Sequence, residues 1–592
     1  MVYEFFLSLI FIFIILFTTQ GYGFILKKIL FSKTTTFNLA EIGIFGFICL
    51  FVISILLHFF IPLSKFYNSI IVIIGISFYI INLKSNLNKN LKYLVPITFI
   101  LSFLSLSFKY HSDYFWYHLP YINLLEKYKI IFGASNLNDF FGYGHGWLDI
   151  LALFNLSIFN SYFLSFASII FVTYYIYFLI NSYLNSNDNI FKNLCILCLI
   201  FFFLQYPLIK DYGAEIHLNL LYVIICLNIY FFFKNIKDKD HYFTIVILFT
   251  AFAFFLRLNS IIFLPLIFIF FLINFKFSLI YFQKNIKIFL FLIVTIALVI
   301  VKNIIISGCI AYPIYFTCFD NTSWGLGMAQ AYERFQMLSA QSKGYLLYIV
   351  YERGYETIYN FYEFAKSQNF ISPKDYLAQN YNWLIYWLKY EHDKARIGNI
   401  ILVLTLIIIL SKLFYFKSVY LIKNIKEARK DIFLITLFFC PIISYIYLLP
   451  QGRYGGFGII FIFFGFLTSL LIKNNYEKNN YVILLILFFS ITYFSIKNFN
   501  NIYQSEYTSI YESYPIYSKK NVDTKIFESN ISLKFLIPET KGKPRYCDNI
   551  SGLCTSKYRK DCIDEISYKH NYIFIKPNKD LCTKVIKDFF FF

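Results

Sequence analysis

Apolar runs broken by short polar connections recur along the chain from Phe5 almost to Ile496. Many approach the ~20 residues that an α-helix needs to cross a bilayer. The pattern predicts spans near 4–26, 40–62, 68–83, 92–108, 161–181, 193–207 and 217–233. It continues with 241–256, 260–275, 288–306, 397–411, 431–449, 455–472 and 480–496. The predicted fold is therefore an all-α polytopic membrane protein of about 14 transmembrane helices. The first run has Glu4 as its only early charge and no small-residue cleavage pattern near Gln20, so an uncleaved first span is expected.

Lysines mark alternate connections. Lys27, Lys28 and Lys33 form the first set, followed by Lys84, Lys89 and Lys92, then Lys234, Lys237 and Lys239. Lys276, Lys284 and Lys287, the cluster from Lys412 to Lys430, and Lys473 with Lys478 complete the series. The positive-inside rule puts these connections in the cytoplasm. The stretch HGWLDILALFNLSIFN at 145–160 is apolar but short, and it carries Asp149. Counted as a span, it reverses everything downstream and puts the KNIKDKD connection outside, so a re-entrant or interfacial segment is expected. The organisation that follows is spans in 1–108, a first outer loop at 109–160 and spans in 161–306. A long outer loop at 307–396, spans in 397–497 and a small extracytoplasmic tail at 498–592 complete it. The long loop is too long for a passive connector and is expected to cap the outer surface.

Composition sharpens this picture in three places. Hydrophobic residues are 59% and charged residues only 15% of the chain, against about 25% charged in a soluble domain. That excludes one large water-soluble core. The net charge of +20 sits mostly in the short loops, so it reads as topology, and nucleic acid is not an expected partner. Six cysteines fall outside the spans: Cys309 and Cys318 in the long loop, and Cys547, Cys554, Cys562 and Cys582 in the tail. An even number in an oxidising compartment suits disulfides. A zinc site in the tail is the competing reading, although the spacing lacks a paired CxxC.

Candidate chemistry collects at the outer ends of the spans. In HSDYFWYHLPYINLLEKYKIIFG, Pro120 suits a first helical turn, and Tyr121, Leu124, Leu125 and Tyr128 recur at helical spacing opposite Glu126, Lys127 and Lys129. This predicts an amphipathic helix in the outer interface. Asp113 precedes it, near Trp116, Tyr117 and His118. A carboxylate at an apolar boundary suits a general base; a solvated loop residue beside an aromatic belt would look the same. QYPLIKDYGAEIHLN brings Lys210, Asp211, Glu215 and His217 together, as an ordinary charged turn also would. Arg257 interrupts FAFFLRLNSIIFLPL, and Arg453 lies in LPQGRYGGFG among glycines that permit close backbone approach. With Lys210 they form a candidate phosphate site; snorkelling to the interface is the plainer role for Arg257. No Gly-rich phosphate loop, HExxH or GxSxG is present.

The order of SDYFWYHLPYINLLEKY, KDYGAEIHLNLLYVIICLNIYF and FAFFLRLNSIIFLP resembles the GT-C superfamily of membrane glycosyltransferases. The likeness is to the protein-mannosyltransferase and lipid A aminoarabinose transferase branch, over about residues 95–275. The resemblance implies a catalytic acid at Asp113, an Asp-led later span at Asp211 and a basic residue opening a subsequent span at Arg257. It implies transfer of a sugar from a polyprenyl-phosphate donor to a glycan, lipid or protein acceptor, on the outer face of the plasma (inner) membrane. Tyr117, His118, Asp211, Glu215 and His217 would contact substrate, and Lys210, Arg257 and Arg453 the donor phosphate. A divalent metal stays open, with no ligand set assigned. The sequence departs from the family where Tyr114 follows Asp113 in place of a second acid, and where four spans precede the acidic loop. A polysaccharide polymerase or ligase, and a transporter or flippase of lipid-linked sugars, are the alternatives.

Overall fold

The computed structural model describes residues 2–31, 36–86, 91–103, 117–159, 161–205, 213–234, 238–345, 372–379, 382–390, 392–414, 425–451, 455–472 and 476–503, with strand segments 524–528, 534–538, 553–554, 563–569 and 571–577. Helices α1 (Val2–Leu30), α2 (Leu39–Phe60) and α3 (Lys65–Asn86) pack together and precede α4 (Leu91–Phe103). Short helices α5 (Leu119–Lys127) and α6 (Gly146–Ala152) lie in the first loop. Next come α7 (Ala167–Asn185), α8 (Asn189–Gln205), α9 (Glu215–Lys234) and α10 (Lys239–Leu256). They are followed by α11 (Leu264–Ile273), α12 (Phe275–Lys284) and α13 (Ile286–Ser307). The long loop holds α14 (Met328–Ser342), α15 (Pro373–Ala378) and α16 (Asn382–Tyr390). The last helices are α17 (His392–Phe414), α18 (Ile425–Leu448), α19 (Gly456–Leu471) and α20 (Tyr476–Tyr503).

Among the described residues, eight helices are long and apolar enough to cross a membrane; they lie in α1, α2, α3, α7, α9, α10, α13 and α18. The chain is accordingly a helical membrane protein. Shorter apolar helices in α4, α8, α17, α19 and α20 coincide with further predicted spans. The span predicted at 260–275 is present as a helical segment over Leu258–Ile273 and ends in a sharp bend. A 3₁₀ segment (Leu258–Phe263) leads into α11, and α12 then leaves at 88°. Asn274 sits at the break, its Nδ2 donating to Phe270 O at 2.9 Å while its own carbonyl accepts from Ser278 Oγ at 2.9 Å. Local polar bonds of this kind compete with a continuous helix. Helix α12 sets exposed Phe275, Leu279 and Ile280 among Lys276 and Lys284, the composition of a helix lying along a surface.

Side-chain size decides how tightly the first helices meet. A Cβ on Gly46 would lie 1.7 Å from Thr19 O, so only glycine lets α2 approach α1 this closely. Helix α2 is started by a reciprocal cap: Glu41 N donates to Asn38 Oδ1 at 3.0 Å, and Asn38 N donates to Glu41 Oε2 at 2.9 Å.

The helix ends sort into two groups. At the lysine-rich end, Lys234 Nζ meets Asp431 at 2.8 Å, Lys284 Nζ meets Asp240 at 2.7 Å and His241 faces Glu41 at 3.2 Å. At the loop end, Leu63 N donates to Leu125 O at 2.8 Å, Gly133 N to Ile305 O at 2.9 Å and Trp387 Nε1 to Pro450 O at 2.6 Å. Connections with the same predicted sidedness are therefore bonded to one another.

The tail contributes strands. β1 (Thr524–Glu528) pairs antiparallel with β2 (Lys534–Pro538), which pairs parallel with β3 (Leu553–Cys554). β4 (Ile563–Lys569) and β5 (Tyr572–Pro577) form a hairpin whose turn residue Asn571 has φ 66°. β5 docks on the first loop: Phe132 N donates to Ile573 O and Ile575 N to Phe132 O, each at 2.9 Å. This places the hairpin at the loop end.

Candidate functional site

Helix α5 carries Pro120 in its first turn and ends at Lys127, because Tyr128 is already extended at φ −127°, ψ 153°. Tyr128 thus lies outside the helical face predicted for it. Tyr121, Leu124 and Leu125 are buried as the spacing required. Helix α6 is only seven residues long, and every one of them is buried. Gly146 opens it because a Cβ there would lie 2.2 Å from Phe255 O, which brings α6 against the end of α10.

Asp149 on α6 is buried and forms an ion pair with Lys302 of α13, while Tyr121 OH donates to its other oxygen at 3.1 Å. Lys302 also lies 5.8 Å from the centre of the Tyr121 ring. Helix α13 is mostly apolar, with much of its surface exposed; Lys287 sits at its start, while Lys302, near its far end, is turned inward and buried. A buried charge persists when a partner and further hydrogen bonds offset its lost hydration. Burial, then the charge of Asp149, pushes the Tyr121 phenol well above its ordinary pKa, which keeps it a donor.

His145 precedes α6. Its Nε2 lies 2.6 Å from Phe140 O; a carbonyl only accepts, so Nε2 carries the proton and Nδ1 is left as an acceptor. Burial, then the positive charge of Arg257 and the neighbouring His118, pushes the imidazole well below its ordinary pKa. His145 is therefore neutral near pH 7. Tyr117 is buried, stacked on Phe140 at 4.8 Å and 5.2 Å from the His145 ring. His118 is also buried, 4.3 Å from the Tyr117 ring.

The span ends complete the group. Arg257, just after α10, meets Glu215 at the start of α9 at 3.5 Å. Two residues further, His217 is fully buried with its ring 3.7 Å from that of Trp147 on α6. Glu215 and His217 thus address different neighbours, as their spacing on a helix requires. Gly455 adopts φ 108° where a Cβ would lie 2.0 Å from the Tyr222 ring, so the start of α19 closes directly on α9. Asp113, Lys210, Asp211 and Arg453 lie outside the described residues.

A second buried pair ties the two large loops together. Arg334 of α14 meets Asp139 at 2.8 Å and donates from Nε to Tyr143 OH, with its guanidinium 4.8 Å from the Phe140 ring. Burial opposes the charge of Arg334, but Asp139, then the facing tyrosines, outweighs it and raises the guanidinium pKa. Nearby, Cys309 and Cys318 form a disulfide. Non-reducing peptide mapping is expected to recover these two cysteines as one linked species; two free thiols in correctly inserted protein would sink that expectation. Cys554 lies in β3, its side chain outside the description, and Cys547, Cys562 and Cys582 are outside the described residues.

The structure thus brings Tyr117, His118, Glu215, His217 and Arg257 to one end of the bundle. It adds Tyr121, Asp139, His145, Asp149, Lys302 and Arg334, to which the sequence reading gave no site role. A signal for two of them was present: Asp149 and Lys302 are lone charges in apolar runs. No group of three potential metal ligands occurs among the described residues. The arrangement offers a neutral imidazole acceptor, a phenol donor and several cations in an enclosed setting at the rim of an apolar bundle.

These features define a helical membrane protein with a buried ionisable centre beneath its large loops. Over residues 5–460 the chain matches the model of a family described as a domain of unknown function (DUF8201), and it belongs to that family. No curated protein and no solved structure matches the chain.

Proposed function

We propose that this protein is a plasma (inner) membrane glycosyltransferase of GT-C type, crossing the bilayer about 14 times with its loop end outside. The observation that carries the reading is the buried ionisable group around α5 and α6, short helices of the first large loop at the rim of the apolar spans. Membrane-depth ionisable residues are functional candidates in their own right. A transporter places its polar residues near mid-depth, whereas here they collect at one end.

In this reading Asp113 takes the proton of an acceptor hydroxyl as the acceptor oxygen bonds to the anomeric carbon. The bond from that carbon to the lipid phosphate breaks on the opposite side. Arg257, with Lys210 and Arg453, stabilises the departing phosphate, and Glu215 holds the Arg257 guanidinium at the rim until donor binds. The role of Asp113 rests on the family resemblance; those of Arg257 and Glu215 rest also on their ion pair.

The test is transfer from a polyprenyl-phosphate sugar by membranes containing matched amounts of each variant. Asp113→Asn keeps size and most hydrogen bonding but removes basicity, and it is expected to lower turnover by about 10²-fold with donor affinity unchanged. Arg257→Ala is expected to weaken donor binding as well, since it removes a contact made before the transition state. Near-normal transfer by Asp113→Asn rejects the assignment and favours a polysaccharide polymerase, which has no need of that carboxylate.

A further inference from the structure

Helices α8, α17, α19 and α20 leave a cleft of about 380 Å³ between them, within the roughly 300–1,000 Å³ of ordinary ligand sites. Its walls are apolar. Phe201 and Phe461 stack at 4.4 Å, and Leu197 and Val403 also line it. Its loop end is polar, with Gln205 closing α8, Asn399 in α17 and Lys497 near the end of α20. A Cβ built on neighbouring Gly398 would meet nothing within 4 Å, so α17 is not packed over there.

The polar end carries two available donors. Gln205 Nε2 is buried with no hydrogen-bond acceptor among the described residues. Exposed Lys497 has Nζ 3.4 Å from Tyr493 OH, and no carboxylate partner for it occurs among the described residues. A charged donor and an unsatisfied neutral donor heading an apolar cleft are the complement of an anionic oxygen cluster carrying a hydrocarbon tail. A free phosphate would leave the apolar walls unused.

We propose that this cleft binds one acyl chain of an anionic glycerophospholipid, whose phosphate lies at Lys497 and Gln205. Bilayer phospholipid surrounds every span, and the cleft volume suits a single acyl chain better than a long polyprenyl chain. Neither Arg257 nor Glu215 lines the cleft, so the site is separate from the candidate catalytic centre and does not depend on glycosyl transfer. The bound lipid bridges α17 and α20, making the late helices responsive to the anionic lipid content of the membrane.

Native mass spectrometry of the full chain, delipidated in detergent and titrated with phosphatidylglycerol or phosphatidylcholine, tests this. Phosphatidylglycerol is expected to give a resolved, tight first binding event that phosphatidylcholine does not match. Removing one charge by Lys497→Gln should weaken that event roughly fivefold, the usual worth of one lysine at an anionic lipid surface. Leu402→Trp, at a 61% exposed cleft-lining position, should fill the space and abolish the event with Lys497 retained. Equal binding of the two lipids, or unchanged binding in both variants, overturns the proposal. So does displacement of the phosphatidylglycerol by an equimolar polyprenyl phosphate, which would make the cleft a carrier site.

Discussion

Replacing Lys302 with methionine is expected to destabilise the protein by about 3–5 kcal/mol, the usual result of removing one member of a buried ion pair. The cost arises because Asp149 stays buried, with Tyr121 as its remaining donor at 3.1 Å. Replacing both charges removes the need for compensation, so Asp149→Leu combined with Lys302→Met should recover most of the loss. Unfolding of the detergent-solubilised protein, read as a double-mutant cycle, measures this. Additive losses, or a single-variant cost near zero, would show that the two charges do not meet. The pair joins α6 to α13, so the Lys302 variant should also loosen the first loop, where His145 and Tyr121 are held.

Arg334→Met is expected to release α14 from the first loop. Arg334 and Asp139 are both almost wholly buried, and the guanidinium lies 4.8 Å from the Phe140 ring and 5.3 Å from that of Tyr143. Loss of the cation takes the ion-pair partner from buried Asp139, a change that again costs about 3–5 kcal/mol. If local opening exposes α14 to protease, cleavage within 328–345 should accelerate on the order of a hundredfold. Arg334→Lys should not restore protection, because an ammonium lacks the planar fork that serves a carboxylate and aromatic faces together. Wild-type cleavage rates in Arg334→Met would mean that the clasp does not hold the loops.

Phe140 links this clasp to the candidate site. Its ring receives Arg334 on one hand, and its carbonyl accepts from His145 at 2.6 Å on the other. Loosening α14 therefore bears on the orientation of the imidazole although Arg334 belongs to a different loop.

The helices were legible because burial in lipid demands long apolar runs, and such runs are written residue by residue. The predicted spans coincide with apolar helices, although only eight described helices reach spanning length alone. The bend after α11 was less legible. Asn274 and the two-sided composition of α12 mark it, but a hydropathy window averages them away. Of the site, Arg257, Glu215 and His217 were visible as polar residues at span ends, while their partners were not. Nothing in the segment 205–219 says that His217 will lie on Trp147, or that Glu215 will meet Arg257.

By itself the sequence determined that this is a helical membrane protein with a charge-biased orientation, large loops at one end and a disulfide-competent long loop. Those properties come from local composition, summed over a span or a connection. Only the tertiary structure decided that Asp149 pairs with Lys302, 153 positions away, and Asp139 with Arg334. It also decided that β5 of the tail docks on Phe132. The physical reason is that a buried charge can be kept by any partner the fold brings within reach, so its residue type records that a partner is needed and leaves the partner's identity to the packing of the helices.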